Sequence, residues 1–113
     1  MALAPADQPA VFTGTLDAVP VVEAATTSRV AIDNATARVV VFSFDAGEQL
    51  TEHTATVPVV VQLVTGRMRF NVAGTDHELA AGDLVYLPPN EVHALEAHEP
   101  SHLALTMLRG GSG

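Results

Sequence analysis

The sequence contains no cysteine, no tryptophan and no lysine, and every one of its five basic residues is an arginine. Without cysteine there is no disulfide scaffold, no thiolate metal site and no thiol nucleophile. Without lysine there is no glycine-rich phosphate loop closed by that residue. No serine stands in a nucleophile-elbow context, so covalent hydrolysis lacks its usual machinery. Positive charge is scarce: Arg29, Arg38, Arg67, Arg69 and Arg109 stand against 13 acidic residues, a formal charge of −8. Nucleic-acid binding needs a positive surface that displaces counterions from phosphate, and this balance argues against it. The same acidity disfavours anionic membrane surfaces. No apolar run approaches the roughly 20 residues of a membrane-spanning helix. The first ten residues have neither the positive charge nor the apolar stretch of a secretory signal. The expectation is a cytoplasmic protein with no nucleic-acid or membrane partner.

What remains is apolar material, 48% of 113 residues, enough for one buried core and one domain. The expected organisation is an N-terminal arm over residues 1–10, a single domain over 11–109 and a flexible tail over 110–113. Val11–Asp17 and Val19–Glu23 read as short strands, followed by Arg29–Asp33 and the turn residues Asp33 and Asn34. Thr36–Phe44, TARVVVFSF, is dense in β-branched and aromatic residues and reads as a strand. Gln49–Ala55 and Pro58–Thr65 continue the extended pattern. Arg67–Val72 alternates, with Met68, Phe70 and Val72 on one face and Arg67, Arg69 and Asn71 on the other, as a half-buried strand does. Ala73 to Asp76 reads as a hairpin turn leading to His77–Ala80. Leu84–Leu87, Val92–Ala97 and His102–Arg109 complete nine to eleven short strands without an amphipathic helix. That pattern means a sandwich, a jelly roll or a barrel.

Two glycine-led segments carry the argument further. Gly47 is followed by EQLTE and His53, and a closing glycine falls in place at Gly66. Gly82 is followed by DLVYL, Pro88, Asn90 and His93. These segments, spanning Gly47 to Ala97, resemble the two motifs of the cupin family. Asn90 stands where the family has glycine, and asparagine is the side chain that best tolerates a left-handed backbone. The resemblance implies an all-β, cupin-type double-stranded β-helix, a jelly-roll barrel in a single domain. It also implies an interior site where three histidines and a glutamate hold iron, manganese, nickel, copper or zinc. In this chain those four positions read His53, Ala55, Val59 and His93, and the family's later asparagine is Ala97. Ala55 and Val59 cannot donate to a metal.

The expected site is therefore a reduced one. His53 and His93 are the candidate metal or ligand contacts, with His102 as a candidate third imidazole and one divalent transition metal as the candidate cofactor. His53 and Ala55, two apart on a strand, share a face, and Val59, Val61 and Leu63 make the wall beside them apolar. Tyr86, the only tyrosine, and Thr106, four residues after His102, are further candidates for the pocket lining. Leu103, Leu105 and Met107 occupy the face opposite His102 and read as core. His77, His98, Glu52, Gln62, Arg67 and Arg69 read as solvent-facing. The function expected is binding of a small molecule in a metal-assisted or metal-free pocket. The alternative is a non-catalytic sensor or protein-interaction module around a metal-free apolar barrel. Cupins of this size commonly dimerise, and the valine-rich stretches Val19–Val22 and Val39–Val41 supply apolar surface for a homodimer.

Overall fold

The computed structural model describes residues 3–109; the expected C-terminal tail at 110–113 lies outside the described residues. Nine strands are present among them: β1 (Thr26–Asp33), β2 (Ala37–Phe44), β3 (Gln49–His53), β4 (Val59–Thr65), β5 (Arg67–Val72), β6 (Thr75–Ala80), β7 (Leu84–Leu87), β8 (His93–Ala97) and β9 (Ser101–Leu108). They form two antiparallel sheets. One has the order β1-β2-β9-β4-β7 and the other β3-β8-β5-β6. The chain is thus an all-β jelly roll.

Alternation sets which residues lie between the sheets. Met68 and Phe70 on β5 are buried, as are Val59, Val61 and Leu63 on β4 and Leu103 on β9, while Gln62 faces solvent. Phe44, Leu79, Leu87, Leu95 and Ala97 complete this core. Each fully buried large apolar side chain contributes about 1.5–3 kcal/mol relative to exposure. The β5–β6 hairpin closes Val72 onto Thr75 through Ala73 and Gly74, whose φ values of 50° and 86° are the pair of positive angles that a twisted two-residue turn requires. Asn90, in the glycine position of the second motif, has φ 66°.

The N-terminal part departs from expectation. Val11–Asp17 and Val19–Glu23 are not strands; Thr15–Ala18 is a single helical turn, α1, and Val19–Ala25 pairs with no sheet. The reason is that its polar groups find side chains instead of a ladder. The Val19 carbonyl accepts from His102 Nε2 at 2.7 Å, the Pro20 carbonyl from Ser43 Oγ at 3.2 Å, and Asp45 accepts from the Ala24 amide at 2.7 Å. The segment lies on the outer face of the five-stranded sheet, where Val19 is 3% exposed. Val40 and Val41 are also buried within the chain. The valines named as a dimer surface are therefore mostly consumed internally, and only Val22, 46% exposed, is left open. Within the expected arm, the Ala4 amide donates to the Asp33 carbonyl at 2.9 Å.

Candidate functional site

His53 ends β3 and His93 begins β8, and the two are direct cross-strand partners. A β-bulge brings them together. Gln49 and Leu50 oppose Glu96 and Leu95, and His53 then opposes His93, so β3 carries one more residue than β8 over that stretch. Leu50 and His53, three apart, would face opposite sides of a regular strand. The extra residue resets the alternation, and both side chains line the space between the sheets.

The rings of His53 and His93 have centroids 4.0 Å apart with planes inclined by 60°, and Phe70 stacks on His93 at 5.9 Å and 6°. Each imidazole is fixed by the same local bond. His53 Nδ1–H donates to the Thr51 carbonyl at 2.9 Å, and His93 Nδ1–H donates to the Glu91 carbonyl at 3.0 Å. A carbonyl can only accept, so Nδ1 of each ring carries a proton, and in the neutral form of such a ring Nε2 is the one with a bare lone pair. Among the described residues neither Nε2 has a partner. Burial holds the pKa of His93 below the usual histidine range; the adjacent His53 ring acts in the same direction, and the Glu91 carbonyl opposes them. His93 is therefore neutral at pH 7.

Both histidines border a pocket of about 430 Å³ whose walls include Val40, Phe42, Val59, Leu105 and Met107, with Thr54 and Thr56 among the few polar groups. Ala55 lies in this lining, and its amide neighbour across the mouth is fixed, since the Asn90 amide donates to the Ala55 carbonyl at 2.7 Å. A second, smaller space of about 10 Å³, room for about one water, lies between the two rings and Val61, Phe70, Leu95 and Leu103. His53 is exposed at the mouth and His93 is 4% exposed. Mostly apolar walls with a few convergent polar atoms are the usual chemistry of a small-molecule site. A neutral imidazole can accept a hydrogen bond at Nε2, and His93 can take a proton from a bound acid.

Three expected contacts lie elsewhere. His102 cannot be a third ligand of this site, because its ring is turned to the outer face of the sheet and both nitrogens are engaged: Nε2 donates to Val19, and Nδ1 accepts from Thr65 Oγ1 at 2.9 Å. Thr106 shares that outer face, alternating with Leu105 and Met107, which line the pocket. Tyr86, 60% exposed, alternates with buried Leu87 and lines a separate recess of about 310 Å³ with His77 and Leu84 at the edge of the sandwich. His98 is exposed and contacts Glu78 at 2.8 Å.

The donor set can be compared with the family's metal centre. A retained divalent ion in a closed or catalytic site takes three or more protein donors. His53 and His93 supply two, Ala55 and Val59 supply none, and no cluster of three histidine, aspartate or glutamate side chains suited to a metal occurs among the described residues. The residues present do not fit the family's metal centre.

Comparisons agree with the architecture. A family model described as a cupin domain matches residues 40–108. A conserved Streptococcus pyogenes protein of unknown function superposes with a TM-score of 0.80 at 20% identity, over 93% of this chain and 92% of that one. A cupin superfamily protein from Desulfitobacterium hafniense gives 0.80 at 16% identity, over 97% and 100%. An RmlC-like cupin from Shewanella frigidimarina gives 0.75 at 21% identity, over 93% and 96%. No curated protein matches the chain. Among the described residues no helix is long and apolar enough to cross a membrane.

Proposed function

The chain belongs to the cupin family, and from that premise we propose that it binds a small, largely apolar organic molecule without a resident metal, held by hydrogen bonds to Nε2 of His53 and His93. One observation supports this above others. Both rings spend their Nδ1–H on a backbone carbonyl two residues earlier and both line one apolar pocket, so the nitrogen left for an occupant is Nε2. An occupant with an O–H or N–H donor can bond to these nitrogens, and in the apolar surround of His93 that bond is strong. An occupant with a sufficiently acidic proton can give it to His93, whose lowered basicity suits reversible transfer.

The test is an amide-resolved NMR titration with a neutral phenol, 4-ethylphenol. Saturable shifts concentrated at Val40, Val59, Leu105 and Met107 are expected. Shifts confined to the outer recess at Tyr86, or none, would overturn the reading.

Leu84 and Tyr86, 64% and 60% exposed, stand on the edge strand β7, with Tyr86 beside Val60 of β4. This apolar edge supports association of two copies in place of the valine stretches first considered, and sedimentation or light scattering of the wild type against Tyr86→Lys checks it. The same edge favours the rival reading of a protein-interaction module, which differs in its output and not in its pocket.

A further inference from the structure

Two hydrogen-bond acceptors meet at the pocket, and no cationic arginine accompanies them. His53 and His93 both border it, and with each Nδ1–H held by a backbone carbonyl, the nitrogen left to an occupant is an acceptor in the neutral ring. The ring centroids lie 4.0 Å apart. One head-group atom bonded at about 2.9 Å to each of two acceptors joins atoms up to roughly 5.8 Å apart, so a single head group can serve both rings. An alcohol or a phenol has one O–H and donates fully to only one of them. The chain has no lysine, and among the described residues no arginine borders the pocket or the smaller space beside it. Thr54 and Thr56 supply the other polar side chains of the lining. Burial lowers the pKa of His93, and among the smaller influences the Glu91 carboxylate pulls it upwards, so a negative charge is felt at this ring. The formal charge of the whole chain, −8, has the same sign.

We propose that the occupant of this pocket is an amphipathic primary amine, bound as its ammonium ion with one N–H donated to His53 and a second to His93; this rests on the reading that the pocket binds a small organic molecule. An ammonium group carries three donors and no acceptor, the complement of this lining. Its hydrogen bonds to neutral acceptors are charge-assisted and stronger than those of a hydroxyl. An alkylamine resembles lysine, which titrates at about 10.4, far above imidazole, so the proton stays on the amine and the rings stay acceptors. Full burial of a cation is costly. The site avoids that cost, because His53 is exposed at the mouth and the third N–H keeps its water. The apolar walls at Val40, Val59, Leu105 and Met107 take the hydrocarbon body. A carboxylate head group fits poorly here, since it brings no donor and meets a field of its own sign.

The experiment is an NMR titration at about pH 8, above the ordinary histidine range and below that of an alkylamine. It compares 2-phenylethylamine, 2-phenylethanol and the trimethylammonium derivative of the amine, which keeps the charge, and any attraction to the Phe42 and Phe70 rings, but has no donor. The expected result is that the amine binds about tenfold tighter than the alcohol, with shifts at Val40, Val59, Leu105 and Met107, and that the quaternary ion binds no tighter than the alcohol. In His53→Phe, which keeps an aromatic ring and removes one acceptor, the advantage of the amine should fall by about threefold or more. The comparison on the wild type stands even if H53F folds poorly. Equal affinities of amine and alcohol, a quaternary ion that matches the amine, or an advantage undiminished in folded H53F overturns the assignment of the head group and leaves the pocket reading intact. If none of the compounds shifts the pocket residues, the pocket reading itself falls and this inference falls with it.

Discussion

His53 and His93 face each other as paired residues across β3 and β8, with ring centroids 4.0 Å apart, and each donates its Nδ1–H to a carbonyl two positions earlier in its own chain segment. The pair is thus oriented by local backbone. Consequences follow for pH, metal content and ligand affinity.

Stability should fall as pH drops below the ordinary histidine range. Burial lowers the pKa of His93 from 6.5 in the folded chain. Between that value and the lower folded one, the unfolded chain binds the proton and the folded chain does not, so acidification favours unfolding; above 6.5 both states are neutral and the slope vanishes. Urea midpoints measured from about pH 7.5 to about pH 5.5 should decline more steeply for the wild type than for His93→Gln. Parallel slopes would assign the pH dependence to other groups.

Gly66 should be far less replaceable than Gly82, although both have positive φ. A Cβ on Gly66 would lie 2.1 Å from Ser101 Oγ and 2.6 Å from the Pro100 carbonyl, whereas one on Gly82 meets nothing within 4 Å. Gly66→Ala should cost about 2–4 kcal/mol through combined backbone strain and overlap. Gly82→Ala should cost about 1 kcal/mol from backbone conformation alone. Chemical denaturation of the two variants checks the difference.

Protein purified without added metal or chelator should hold well below one equivalent of any transition metal per chain by elemental analysis, because two imidazoles retain a divalent ion poorly. A full equivalent, lost on chelation and absent from the His53→Ala, His93→Ala variant, would show that an exchangeable ligand completes the site.

Much of the fold was legible because it is written in local alternation. Arg67–Val72 announces which face is buried, the dense β-branched run announces β2, and the glycine-led spacings place Gly47, Gly66, Gly82 and Asn90 at turns. The loss of two metal-ligand positions was equally plain from Ala55 and Val59. What could not be read depends on contacts distant in sequence. His102 looked like a third imidazole until Val19 and Thr65 claimed its nitrogens. The alternation of β9 did carry a signal, since placing Leu103, Leu105 and Met107 inside sends His102 and Thr106 outside. Tyr86 gave the same signal beside Leu87. The bulge before His53 leaves no mark in residue type.

The most direct test is calorimetric titration of 4-ethylphenol into the wild type and into the His53→Ala, His93→Ala variant, after circular dichroism and cooperative unfolding show both to be folded. The account predicts saturable binding to the wild type in the presence of a chelator, and a loss of about tenfold or more in the variant, as expected when the acceptors of two hydrogen bonds are removed. Unchanged affinity in the folded variant would contradict it, as would binding that the chelator abolishes.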